Sequence, residues 1–326
     1  LRIGEAVPPQ IRPILAHLGL WSNFEAQGHF PSYRTLSAWG GPVLGSNEFL
    51  LFPSQIGWRL DRALFNEMML KVAQRTATHI KARVAGLAYS DGVWRVACPD
   101  GTTHTCCFVI DATGRSAVLA RALGQRRSRL DGLIGCFAYA SDDWLGDREP
   151  IVETFRHGWW YTAAIPGKRR VIACMSDADI IRRWRLADSC NFIPALQETV
   201  HIRRAPSPII GELRVRAAGS QYIERPGSLP TIAVGDAASS FDPISGQGII
   251  KALRSGIFGS YVAADCLRGA GARALERYRS FIRQEFTSYQ NSLRDYYALE
   301  QRWSDEPFWS RRRVQGPPLT SATDPP

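Results

Sequence analysis

Val234-Gly235-Asp236-Ala237-Ala238, followed three residues later by Asp242-Pro243-Ile244-Ser245-Gly246-Gln247-Gly248-Ile249, is the stretch on which the reading of this chain turns. The apolar run 231–234 predicts a short buried strand, and it ends on a glycine that permits close backbone approach. Asp236 then places a carboxylate at the strand's end, within reach of a ligand hydroxyl. Pro243, Gly246, Gln247 and Gly248 form a turn that opens a helix. A helix start presents unpaired N–H groups and the positive end of the dipole, which suit an anion or an electron-rich ring edge. The alternative is a plain strand-turn-helix connection with an incidental Asp. The co-occurrence of Gly-Asp, the proline and the paired glycines favours the ligand-binding turn.

Two further segments point the same way. Val109-Ile110-Asp111-Ala112-Thr113-Gly114-Arg115-Ser116 reads as a buried strand delivering a small-residue turn, with Thr113 and Gly114 where backbone runs close to a nucleotide. In Gly57-Trp58-Arg59-Leu60-Asp61-Arg62, Arg62 enters a helix and can reach a pyrophosphate; an Arg–Asp pair at the helix start explains it equally well.

Periodicity fills in the rest. Residues 10–20 and 62–74 carry helical apolar spacing, and 21–54 is punctuated by Gly, Ser and Pro like an excursion across another domain. Alternation at 80–84 and 94–98, a turn at 99–101 and the unbroken apolar run 106–110 predict strands, the last one covered on both faces. Four more strands, 132–140, 150–155, 159–165 and 170–175, predict a second sheet. From 248 to about 303 the chain reads as helix, broken at Arg268-Gly269-Ala270-Gly271.

The 326 residues carry a net charge of +10, yet only four lysines (Lys71, Lys81, Lys168, Lys251), so the basic character comes from dispersed arginines. Dispersion argues against a nucleic-acid partner, although Arg182, Arg183 and Arg185 and the run 311–313 are clustered. Seven cysteines without a C-x-x-C pair indicate neither a disulfide framework nor structural zinc. No apolar run spans a bilayer, and no signal-peptide pattern opens the chain, so a cytoplasmic location without membrane attachment is the expectation.

Together these segments resemble the two-domain flavoprotein monooxygenases related to p-hydroxybenzoate hydroxylase and the flavin-dependent halogenases. Arg2-Ile3-Gly4-Glu5 looks like the motif after that family's second strand, Asp61-Arg62 like its FAD-contacting arginine, Ala112-Thr113-Gly114 like a variant of its Asp-Gly motif, and Gly235-Asp236 like its ribityl-binding motif. The resemblance implies an α/β fold: a Rossmann-like FAD-binding domain (1–30, 55–125, 225–268) interleaved with a β-sheet substrate domain (31–54, 126–224), then a helical segment (272–315) and a disordered tail (316–326). No G-x-G-x-x-G occurs, so the N-terminal βα unit that cradles the FAD pyrophosphate is expected to be missing. The implied cofactor contacts are Arg2, Arg62, Thr113, Gly114, Gly235, Asp236, Pro243, Gly246, Gln247 and Gly248.

The resemblance also bears on chemistry. Flavin halogenases use a lysine after the Gly-Glu motif, and this chain has none before Lys71; the matching stretch Phe30-Pro31-Ser32-Tyr33-Arg34 offers Arg34, which stays protonated. Ser37-Ala38-Trp39-Gly40, Gly158-Trp159-Trp160-Tyr161 and the ending from Glu300 to Arg312 are more similar to flavoproteins that mature tryptophylquinone cofactors by oxygenating a tryptophan in a partner polypeptide. That subgroup implies FAD, NADH or NADPH as electron source, O2 as co-substrate, and a protein or peptide substrate. A small-molecule aromatic hydroxylase is the alternative. Trp159, Trp160, Tyr161 and Arg34 are the substrate-side candidates, with sheet core the competing role for the aromatics. Asp111 and His157 are conceivable acid/base groups, though a strand-end Asp and a turn His are commonly structural.

Overall fold

The computed structural model describes residues 5–49, 54–142, 149–204 and 209–313. Its largest element is a seven-stranded sheet in the order Ile209–Ala217, Leu133–Ser141, Arg169–Asp177, Gly158–Ile165, Ile151–Phe155, Arg34–Ala38, Gly45–Glu48. All neighbours are antiparallel except Ile151–Phe155 with Arg34–Ala38, which run parallel. The four strands expected at 132–140, 150–155, 159–165 and 170–175 are its centre, with both faces covered. Phe137, Trp159, Ala173 and Met175 face one core, while Cys136, Trp160, Ile172 and Cys174 face another with Phe192 and Leu196. Gly158 cannot be replaced in this packing: a Cβ there would lie 2.0 Å from the Met175 carbonyl oxygen.

Beside this sheet, Thr231–Ala233 pairs in parallel with Val109–Asp111 and antiparallel with Gly227–Ser228. Helix Gly248–Leu267 follows, stops at Gly269 (φ +83°), and gives way to helix Gly271–Ala298. The second helix buries Leu275, Tyr278, Ile282, Phe286, Tyr289, Leu293 and Tyr297, a stripe with three- and four-residue spacing that bridges the two sheets. A last helix, Pro307–Arg313, returns to the large sheet. There Arg312 pairs with Asp177 at 2.8 Å, and Arg311 pairs with Asp177 and Asp179 at 3.0 and 2.6 Å.

Several expectations are corrected. Residues 80–84 are not a strand; Gly86–Ser90 is, paired with Val93–Ala97 and then Thr103–Cys106. The two-residue turn Asp91-Gly92, with both φ positive, fixes that hairpin, and this local signal outweighs alternation upstream. The run 106–110 divides between this hairpin sheet and the parallel strand Val109–Asp111, and Ile110 is 44% exposed rather than covered on both faces. The excursion 21–54 contains helix Trp21–Glu25 and two strands of the large sheet. Arg2 and the tail after Arg313 lie outside the described residues. Among the described residues no helix is long and apolar enough to cross a membrane, and no cluster of His, Cys, Asp and Glu is placed to hold a metal.

Candidate flavin site

Strand Thr231–Ala233 leads into Gly235, whose φ of +58° favours glycine. Its N–H donates to Ser255 Oγ at 2.8 Å, which ties the turn to helix Gly248–Leu267. Asp236 follows with its side chain about one-third exposed, held between two cations: Lys251 Nζ donates to Oδ1 at 2.8 Å, and Arg115 Nε lies 3.7 Å from Oδ2. Lys251 is buried, also donates to the Ser239 carbonyl, and sits 4.7 Å from the Phe241 ring centroid. Burial pushes its ammonium down, and the Asp236 carboxylate opposes that shift.

Thr113 and Gly114 lie on the neighbouring turn. Arg115 joins the two turns by donating to the Gly219 carbonyl, to Ser240 Oγ at 3.0 Å and to the Phe241 carbonyl at 2.9 Å. Asp111 is engaged by the local backbone: Oδ1 accepts from the N–H and hydroxyl of Thr113, and Oδ2 from the Leu119 N–H. It is a structural cap.

Asp242 organises the second half of the motif. Its Oδ1 accepts from the Ile244 N–H at 2.9 Å and its Oδ2 from the Tyr297 hydroxyl at 2.8 Å, and its own N–H donates to the Tyr289 hydroxyl at 2.7 Å. Burial raises the Asp242 carboxyl to about 6. Tyr297 in turn accepts from Trp159 Nε1 at 3.0 Å. Pro243, Gly246, Gln247 and Gly248 are exposed beyond this braced turn, and Gly246 has φ +62°. A Cβ added at Gly246 or Gly248 meets nothing within 4 Å, and no side chain caps the helix that starts at Gly248. An uncapped helix start behind open glycines fits a planar, electron-rich ring.

The structure thus brings together Thr113, Gly114, Gly235, Asp236, Pro243, Gly246, Gln247 and Gly248. Arg62 starts helix Arg62–Ala73, whose Phe65 and Met68 share a core with Ile250. The supposed Arg62–Asp61 pair is corrected: Asp61 caps the Ala63 and Leu64 N–H groups and pairs with Arg169 at 2.9 Å, while Arg62 reaches Asn66 at 3.5 Å.

Of the substrate-side candidates, Trp159 and Trp160 are 1% and 0% exposed and belong to the core. Trp159 braces Tyr297, and Trp160 packs on Phe155 and Phe192 at 5.7 and 4.9 Å. The Tyr161 hydroxyl is enclosed without a hydrogen-bond partner among the described residues, and burial pushes its pKa well up, so the phenol stays protonated. Arg34 pairs with Glu48 at 3.7 Å near the sheet edge. His157 stacks on Trp184 at 4.5 Å and lies 3.9 Å from Glu306, away from the motif. Sequence reading passed over Lys251, although a lone charge inside the apolar run Ile249-Ile250-Lys251-Ala252-Leu253 is a visible signal of a buried ion pair.

Two interleaved sheets, a Gly-Asp turn and an exposed helix start define a flavin-dependent oxidoreductase. The sequence pattern of the tryptophan halogenase family matches residues 46–323, and the chain belongs to that family. The FAD-dependent oxidoreductase LodB of Marinomonas mediterranea is 32% identical over 327 residues, covering 96% of this chain and 87% of LodB. Among solved structures, the flavin-dependent halogenase CmlS superposes with TM-score 0.85 at 21% identity over 97% of this chain and 61% of its own. The myxobacterial chondrochloren halogenase CndH gives 0.87 at 20% identity over 96% of this chain and 77% of its own. The peptidyl tryptophan dihydroxylase QhpG gives 0.72 at 23% identity over 94% and 69%. These structural likenesses establish the fold.

Proposed function

We propose that this protein is an FAD-dependent monooxygenase that hydroxylates an aromatic ring, specifically a tryptophan held in a partner polypeptide. The observation that carries the choice of oxygenation over halogenation is where the four lysines lie. Lys71 pairs with Glu67 on an outer helix face, and Lys81 and Lys168 are on exposed loops. Lys251 is buried and committed to Asp236. The likeness to QhpG, a peptidyl tryptophan dihydroxylase, and the similarity to LodB support the same choice.

When bound, the flavin supplies oxygen activation, with NADH or NADPH as electron source and O2 as co-substrate. The residues proposed to hold it are Arg2, Arg62, Thr113, Gly114, Gly235, Asp236, Pro243, Gly246, Gln247 and Gly248. Residues 1–30, 55–125 and 225–268 form the cofactor side of this reading, and 31–54 with 126–224 the substrate side. The test is to supply FAD, NADH or NADPH and O2 with and without chloride or bromide, and to weigh the product. Gain of about 16 Da per oxygen on a peptide tryptophan, independent of halide, is expected. A halide-dependent mass gain assigns the protein to halogenation instead.

A further inference from the structure

Beside the cofactor motif, and sharing Gln247 with it, lies a surface groove of about 520 Å³. Ile244, Ser245 and Gln247 form part of one wall, and helix Gly271–Ala298 forms the other from Phe281 to Tyr296. The fifteen helical steps from Phe281 to Tyr296, at about 1.5 Å each, make it about 22 Å long, the span of roughly seven residues of extended chain. Its chemistry is neither apolar nor strongly charged. Gln284, Ser288 and Ser292 form an exposed row at four-residue spacing, opposite Gln247. The row repeats about every 6 Å, close to the roughly 6.6 Å at which an extended backbone turns successive polar groups to one side. Arg254 and Glu285, paired at 3.1 Å, cancel each other's charge. Independently, Glu285 Oε2 is buried on the groove wall with no hydrogen-bond partner among the described residues, and burial raises its carboxyl.

We infer that this groove takes an extended, uncharged stretch of polypeptide, the chain flanking the aromatic residue to be oxygenated. The inference rests on the oxygenase reading above for what happens at the flavin, and on the groove alone for what binds. Amide and hydroxyl side chains hydrogen-bond main-chain N–H and C=O groups without regard to sequence. A helical occupant has its backbone groups already paired and leaves the row idle. Phe281 at one end and Tyr296 at the other offer apolar contact to the passing side chains.

The test uses the FAD-supplemented full chain and fluorescein-labelled peptides of three, five, seven and nine residues, each with one central Trp among Ala, Ser and Gln. Fluorescence polarisation should show affinity rising to about seven residues and then levelling. Ser288→Trp, which fills the groove, and the milder pair Gln284→Ala/Ser292→Ala should each weaken the nine-residue peptide at least ten-fold. Both should keep the wild-type melting temperature, and Ser22→Trp on a distant helix should bind as wild type. Length-independent affinity, unchanged binding to Ser288→Trp, or tighter binding of a single-stranded oligothymidylate overturns the inference. A peptide bound in the groove but never oxygenated leaves the groove standing and removes the monooxygenase reading. Oxygenation undiminished in Ser288→Trp does the reverse.

Discussion

Lys251, with 1% of its side chain exposed, donates to Oδ1 of Asp236 at 2.8 Å. The carboxylate proposed to meet a ribityl hydroxyl is therefore already the partner of a buried ammonium on the adjoining helix. Under that proposal one residue serves both the fold and the ligand.

Asp236→Ala should accordingly lower stability as well as flavin binding. Removing one member of a fully buried ion pair costs about 3 to 5 kcal/mol. Asp236 is one-third exposed, so water compensates in part and about 1 to 3 kcal/mol is expected. Lys251→Met in the same background removes the stranded charge and should restore the melting temperature without restoring flavin fluorescence quenching. A double variant that regains tight flavin binding would show that Asp236 is not a ribityl ligand.

Asp242 predicts a pH dependence. Burial raises its carboxyl from 3.8 to about 6, with Asp131 raising it further, while the Ile244 N–H, the Tyr297 hydroxyl and Arg312 oppose the shift. The native state therefore binds this proton more tightly than the unfolded chain does. The resulting stabilisation is complete below about pH 4 and is lost as pH rises through about 6. It amounts to at most about 3 kcal/mol. Asp242→Asn should flatten the urea midpoint across that interval; an unchanged slope between pH 4 and 6 would locate the titration elsewhere.

Trp159 and Trp160 are adjacent and equally buried but predict different phenotypes. Trp159→Phe deletes the donor to Tyr297, which holds Asp242, so flavin affinity should fall together with about 1 to 3 kcal/mol of stability. Trp160 Nε1 has no partner among the described residues, so Trp160→Phe should cost packing alone, about 1 to 2 kcal/mol, with flavin affinity intact. Parallel calorimetry and flavin titration of both variants separate the two effects.

Gly158→Ala should be among the most damaging substitutions in the chain. Its Cβ would meet the Met175 carbonyl at 2.0 Å, and backbone cannot step aside inside a paired sheet. A loss of about 3 kcal/mol or more is expected. Retention of the wild-type urea midpoint would mean that the hairpin 155–158 can shift.

The fold was legible where burial writes itself as uninterrupted apolar runs, as in Gly158–Ile165, and where a helix keeps its stripe over several turns, as in Gly271–Ala298. Illegible parts were those decided by partners distant in sequence. Arg34–Ala38 looks like punctuation until Ile151–Phe155 pairs with it in parallel. The ligand turn was readable because glycine spacing is a local backbone requirement, whereas the brace beneath it joins residues 242, 297 and 159 and has no local trace. Composition could not say which face of Gly158–Ile165 each Trp would occupy, and so could not separate brace from filler.

The return of helix Pro307–Arg313 to Asp177 and Asp179 ties that helix to the large sheet. A strand in the middle of the chain is clamped by arginines more than 130 residues later, and the aromatic wall between them is shared by both sheets. The core that contains Trp159, Ile232, Tyr278 and Tyr297 draws on both sheets, so heating should melt them in one cooperative step, with no half-folded species holding a ligand on one side.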